Sequence, residues 1–368
     1  MAYAEKYVTP QATGGGDGLT EGTAWTFAEA VANVATGDRV NIKAGGAYTV
    51  ESQTLPAVGT STQYSVWRGY NATIGDLDDG TRVAATGKLQ TTNFPSFTMN
   101  GPLIPNGYTI LQNLSMIGTI STRVVGLISG DRTIFRNVRI ENRSDSTACS
   151  CVYADNFITM MNCDLVNTEA THGPLALFDA DNDLIGCRFE GGASDAALVE
   201  ANYVNAEACV FYGSTGCDGI HINSSLSANR MMVISHCTFH GLRSAVKIDA
   251  SVTDVDSPLK FSHNHVTDCV NWINNAYTGG DLVTLEEFNR LRDVTTPRVN
   301  CAPEVSSEVT TDDGGPETDY VNAGSGDFRL VAAAAGATAG RYGGSVGAMP
   351  ANNSGGGVYD PFQQGRIR

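Results

Sequence analysis

The sequence predicts an all-β solenoid built from coils of about 25 residues. Three observations carry this: a motif that recurs at near-constant spacing, alternation of small or polar with large apolar residues inside each copy, and too little chain between copies for a helix. Short segments line up as LSMIG from Leu114, NVRIEN from Asn137, CDLVN from Cys163, CRFEGG from Cys187, CVFYG from Cys209, CTFHG from Cys237 and NHVTD from Asn264. Their first aligned positions (114, 138, 163, 187, 209, 237 and 264) are separated by 24, 25, 24, 22, 28 and 27 residues.

Two positions further on stand Met116, Ile140, Leu165, Phe189, Phe211, Phe239 and Val266, all apolar. That spacing is the signature of a strand with one buried face. A second strand precedes each later copy, as LALFD (175–179), ALVEA (197–201), GIHIN (219–223) and AVKID (245–249). A further apolar strand appears as MMVI (231–234) and LKF (259–261). Four successive coils put Cys163, Cys187, Cys209 and Cys237 at the first aligned position, which predicts an interior ladder of reduced thiols acting as small hydrophobes. Nine cysteines are an odd number, and neither a CxxC pair nor HExxH occurs, so disulfides and zinc are not expected.

These repeats resemble the right-handed parallel β-helix proteins of the pectate-lyase-like superfamily. The opening strengthens the resemblance: Tyr7-Val8, a turn from Gly14 to Gly18, then GTAWTFAEAVANVATGDRVNIKAGGAYTV. In that family an amphipathic helix caps the solenoid before the first coil. Here the resemblance places it at Ala24–Ala35, with Phe27, Val31 and Val34 facing in and Gly37-Asp38 as the turn. A cap is physically required, because an open coil end is a bare sheet edge. The resemblance spans about residues 5–275, with a weaker match at Asp327–Ala348. It implies a fold and transfers no catalytic residue. The NTD…DD…GHG…RIK set of polygalacturonases is absent, and THG at 171–173 and VKI at 246–248 are only partial echoes.

The predicted organisation is a cap and first coil over 1–50, the solenoid over 51–275, an irregular C-terminal cap over 276–350, and a Gly-rich linker with a tail arm over 351–368. Within the C-terminal cap, DLVTLEEFNRLRD (281–293) reads as a short amphipathic helix with Leu282, Leu285, Phe288 and Leu291 on one face.

The formal charge is −16, from 39 acidic against 23 basic residues. Such a surface repels nucleic-acid phosphates and anionic lipid, so neither is an expected partner. The start MAYAEKYVTPQATGGGDG lacks a basic segment followed by an apolar run, and no stretch reaches the ~18 apolar residues of a membrane span. Synthesis in a cytoplasm without a signal peptide is therefore expected, with residence in the virion if the gene belongs to a phage.

Chemistry, if present, is expected on the outer face. Assuming strict alternation, Ala176, Leu198, His221 and Lys247 form one outward row and Phe178, Glu200, Asn223 and Asp249 the next. Lys247 and His221 would then serve a polysaccharide lyase as cation and base, and Glu200 with Asp249 would be a glycosidase's carboxylate pair. Solvated outer positions explain the same residues without any activity. No cofactor is expected. The one cation candidate is the run Asp179, Asp181 and Asp183, whose alternating carboxylates suit calcium but equally suit an Asx-rich turn. The HNH at 263–265 would place two histidines on one side of a strand.

The sequence thus predicts a structural component of a virus particle, a capsid-decorating or tail-associated phage protein in contact with host-surface glycans. The alternative is a carbohydrate-active enzyme, a lyase or glycoside hydrolase acting on an acidic polysaccharide. In the first case Tyr359, Phe362, Arg366 and Arg368 of the tail would anchor the chain to other virion subunits or to a second copy of itself.

Overall fold

The computed structural model describes residues 2–331, apart from 84–85, 128–131, 155–156, 193–196, 224–230, 251–258, 278–283, 302, 305–310, 313–318 and 326. The fold is an all-β, right-handed parallel β-solenoid of about 9 turns with very little helix. The chain divides into two compact units, one of residues 1–83 and 88–180, the other of 84–87 and 181–368.

In the first unit, Ala4–Val8 pairs in parallel with Asp38–Lys43, and this with Ser65–Tyr70. Thr109–Gly118 follows, and then Thr133–Asn142. The cap helix forms over Phe27–Asn33, shorter than Ala24–Ala35. Thr26 fixes its start through a capping box with Glu29, and the backbone turns extended at Val34. Phe27 and Ala30 are its buried face, and the Phe27 ring meets Trp67 and Phe97 edge-on at 5.8 and 5.1 Å. Val31 is only half-buried, because the helix sits rotated toward Ala30. Gly37, at φ +89, makes the turn into the first coil.

One feature recurs in both units just before each aligned segment: a residue in the left-handed region. In the first unit it is Asn113, Asn137 and Asn162, at φ 58, 53 and 54. Their side chains form a ladder, Asn162 Nδ2 donating to Asn137 Oδ1 (2.8 Å) and Asn137 Nδ2 to Asn113 Oδ1 (2.9 Å). Asp78 accepts from Asn113 at the top of the ladder, and Arg82 donates to Asn162 at the bottom. Arg82 also pairs at 2.8 Å with Asp164, whose carboxylate is fully buried and accepts from the Leu89 amide as well.

In the second unit the same position holds Gly186, Ala208, His236, His263 and Phe288. Behind it Phe189, Phe211 and Phe239 stack face to face, their centroids 5.0 and 4.7 Å apart. Cys187, Cys209 and Cys237 are buried in the second unit and Cys163 in the first, and none of the four is in a disulfide among the described residues. Burial, with Cys187 and Cys237 adding to it, pushes the Cys209 thiol well above its ordinary pKa. Thiol titration of the native protein is therefore expected to leave these four unreactive until denaturant is added. Rapid native labelling of any of them would contradict the ladder.

The helix expected over 281–293 does not form in its described part. Thr284–Glu287 and Arg290–Arg292 are strands, paired in parallel with Leu259–Ser262 and His265–Thr267. Phe288 takes φ 52 and breaks any helical run, while Leu285 is half-exposed. Thr284 and Glu286 face inward instead, and Glu286 is held there by Trp272 Nε1 and the Arg298 guanidinium. Register with the preceding coil overrides a local helical pattern. Leu291 takes the place below Val266, so the repeat runs one coil further than the sequence suggested.

Asp179, Asp181 and Asp183 lie in the single strand Ala176–Ile185 rather than in a turn, and the side chains of Asp179 and Asp181 lie outside the described ones. Among the described residues no group of three or more His, Cys, Asp or Glu could hold a metal ion.

The described part of the C-terminal region ends in an antiparallel hairpin, Tyr320–Asn322 with Asp327–Leu330. It packs on the outward side of its own unit's strands, where Tyr320, Phe328 and Leu330 bury Val210 and contact Tyr212. The tail residues Tyr359, Phe362, Arg366 and Arg368 lie outside the described residues.

Candidate functional site

Strands Asp218–Ile222, Ser244–Ile248 and Asn271–Asn275 share one pattern: three buried residues, one half-exposed residue, one buried residue. Each therefore presents a single position outward. Those positions are His221, Lys247 and Asn274, paired in register, with Glu200 of Ala197–Glu207 beside His221. The two-row arrangement expected from strict alternation is thus incorrect. Ala176, Phe178 and Leu198 are buried, and Glu200 joins the row of His221 and Lys247. Each of these strands buries its first three residues in succession, so outward positions do not alternate strictly.

Polar groups flank the row. His221 Nε2 lies 3.1 Å from Asp249 Oδ2, and Asn223 Nδ2 donates to Glu200 Oε1 at 2.5 Å. Asp218 is buried at 1% exposure, accepts from Arg243 through both oxygens at 3.0 and 2.6 Å, and lies 4.0 Å from Lys247 Nζ. It fixes Arg243 and holds the lysine from below. Asp218, Arg243 and Asn274 were missed by sequence reasoning, since only the true register places them beside Lys247.

The arrangement has definite chemical capacity. When Asp249 accepts a hydrogen bond from the Nε2–H, that tautomer leaves His221 Nδ1 with its lone pair free to act as a base. Lys247 and Arg243 bring positive charge to an otherwise acidic chain. The arrangement does not suit a two-carboxylate hydrolase, because His221 stands between Glu200 and Asp249 and already binds the latter. His172, His236 and His263 do not join this row. His172 is buried with Nδ1 2.7 Å from the Gly173 carbonyl oxygen. His263 stacks on His236 at 4.7 Å in the turn, whereas His265 lies in the next strand, so the HNH does not put two rings on one strand face.

Residues 124–288 match the family model described as a right handed beta helix region. Among solved structures, the crystal structure of pectate lyase Pel9A is similar, with a TM-score of 0.67 and 14% identity over 96% of this chain and 97% of that one. A rhamnogalacturonan lyase aligns with a TM-score of 0.48 and 13% identity over 86% and 90% of the two chains. At such identities the likeness is one of fold. No curated protein matches the sequence.

Proposed function

We propose that this chain is a carbohydrate-active β-helix protein that engages an acidic polysaccharide along the row Glu200, His221, Lys247 and Asn274. One observation carries the proposal: the His221–Asp249 dyad at 3.1 Å, with Lys247 next to His221 in register. A polymer laid across successive coils meets one outward side chain per ~4.8 Å step. Lys247 and Arg243 neutralise a sugar carboxylate, and His221, oriented by Asp249, removes the proton made acidic beside it. A pectate lyase with the same fold makes an acidic glycan a natural first probe.

The test is incubation with a panel of acidic polysaccharides, followed by detection of newly unsaturated chain ends. His221→Ala and Lys247→Ala are each expected to lower turnover ~10²-fold or more while leaving circular dichroism unchanged. Equal turnover in wild type and both variants would remove the row from the chemistry.

A second reading, a capsid-decorating or tail-associated phage protein, draws on the composition of the tail, two aromatics and two arginines after a Gly-rich linker. On that reading, deleting 355–368 abolishes incorporation into particles or oligomers and leaves the melting temperature unchanged. A truncated chain that assembles normally would refute it.

A further inference from the structure

The C-terminal hairpin covers a strip of outward-facing side chains that is unusual for an acidic protein. Arg188, His265 and Arg290 occupy one line of that face, and Glu190, Tyr212, His240 and Arg292 the line beside it, with Arg188 paired to Glu190 at 3.2 Å. Arg188, His265 and Arg290 are 1%, 0% and 3% exposed. An outer sheet face carrying this much positive charge would ordinarily be solvated. Here the chain folds back over it and supplies Asp319, itself 2% exposed.

The contacts of that carboxylate are those of a bound ligand. Arg290 Nε donates to Asp319 Oδ2 at 2.9 Å, and Arg292 Nη1 donates to Oδ1 at 2.9 Å. The two oxygens are thus gripped separately by two guanidinium groups, the geometry that suits carboxylate recognition. His265 Nε2 lies 3.3 Å from Oδ2 but is misaligned for a hydrogen bond, and its buried Nδ1 has no partner among the described residues. The covered state therefore leaves a buried imidazole unsatisfied, a cost that uncovering removes.

We propose that Arg290, Arg292 and His265 form a carboxylate-binding site that Asp319 occupies in cis, with the hairpin as its releasable cover. The site is separate from the Glu200–Asn274 row and does not depend on that row's function. It takes the carboxylate of an acidic polymer or small acid once the cover leaves.

Two further features support release. The cover is a two-stranded hairpin that packs Tyr320, Phe328 and Leu330 against Val210, Tyr212 and His240, and such a hairpin has little stability of its own. It is also sensitive to protons. Burial, with His265 beside it, holds the His240 pKa down to about 4. Burial holds His265 below its ordinary value too, the nearby Arg290 and Arg292 adding to this and Asp319 opposing it. Both histidines therefore take up protons more readily when uncovered. The cover is firmest above pH ~6.5 and loosens as pH falls toward 4. Asp268, 3.6 Å from His240 and raised to about 6 by burial and Asp293, works in the opposite sense by one proton. Asp319 stays ionised through this range: burial tends to raise its pKa, but His265, Arg290 and Arg292 outweigh this and keep it below the usual value. Thr267 Oγ1, 2.8 Å from His240 Nδ1, and the rings of Tyr212, Tyr320 and Phe328 also face His240.

The experiment uses the full chain. In Asp319→Ala at pH 7.5, sodium acetate is expected to raise the melting temperature by several degrees over sodium chloride of equal ionic strength. Wild type should not distinguish the two salts, and adding Arg290→Ala should abolish the effect. A folded Asp319→Ala protein indifferent to acetate overturns the site. Hydrogen exchange on wild type supplies a second measurement that needs no variant. From pH 7.5 to 5, the amides of 319–330 are expected to lose at least ~10-fold more protection than those of 238–240, after correction for intrinsic rates. An unchanged ratio overturns the releasable cover.

Discussion

Phe211→Ala is expected to lower the stability of the folded chain by about 3–5 kcal/mol, the range for deleting a fully buried ring. Phe211 is 0% exposed and lies between Phe189 and Phe239, nearly parallel to both at 4° and 6°. Its neighbours belong to different coils, so the vacated volume is bounded above and below by rings fixed in their own strands. Collapse into the gap would require the parallel pairing of Arg188–Gly191, Val210–Tyr212 and Thr238–His240 to shift. Phe211→Leu should recover most of the loss, because it restores volume without the stack. Equilibrium denaturation of both variants checks this. A loss below ~1 kcal/mol for Phe211→Ala would mean that the stack does not organise the second unit.

Arg82→Ala is expected to cost a similar amount, about 3–5 kcal/mol, for an electrostatic reason. It removes the guanidinium paired with Asp164, a carboxylate at 0% exposure, and the donor to Asn162 at the end of the asparagine ladder. The Leu89 amide remains on Asp164 but does not neutralise a buried charge. A double variant, Arg82→Ala with Asp164→Asn, should be markedly more stable than Arg82→Ala alone, since it removes the stranded charge. If the double variant is no better, loss of the ladder contact rather than the charge explains the effect.

Much of this fold is written openly in the chain. The spacing near 25 residues, the Met116-to-Val266 series of apolar positions and the cysteine column each report directly on residues that stack in the interior. The cap helix was legible from the resemblance and from Phe27 on its inward face, whereas its start is set by the Thr26–Glu29 capping box and its end by the extended backbone at Val34. The left-handed turn before each segment was present as a column of Asn, Gly and His. It is blurred by Ala208 and Phe288, which are poor residues for that conformation yet adopt it at φ 54 and 52.

The outward row was harder to read. Period-2 alternation misleads here, because Asp218–Ile222 buries three residues in succession before exposing His221. Coil lengths from 22 to 28 residues then allow an alignment to slip by two positions without any warning from polarity. The same tolerance let Leu285, Phe288 and Leu291 imitate a helix, although inter-coil pairing decides their conformation. The hairpin over Arg290 and Arg292 was invisible for another reason. It depends on contacts between positions 27 and 29 residues apart that share no repeat.

The most direct measurement is a hydrogen-exchange footprint of the wild-type chain with and without a bound acidic polysaccharide. Protection is expected at 197–201, 218–222, 244–248 and 271–275, strongest around His221 and Lys247, and absent from Lys247→Ala at the same glycan concentration. Protection confined to other faces, or equal protection in the variant, would contradict a working surface at this row.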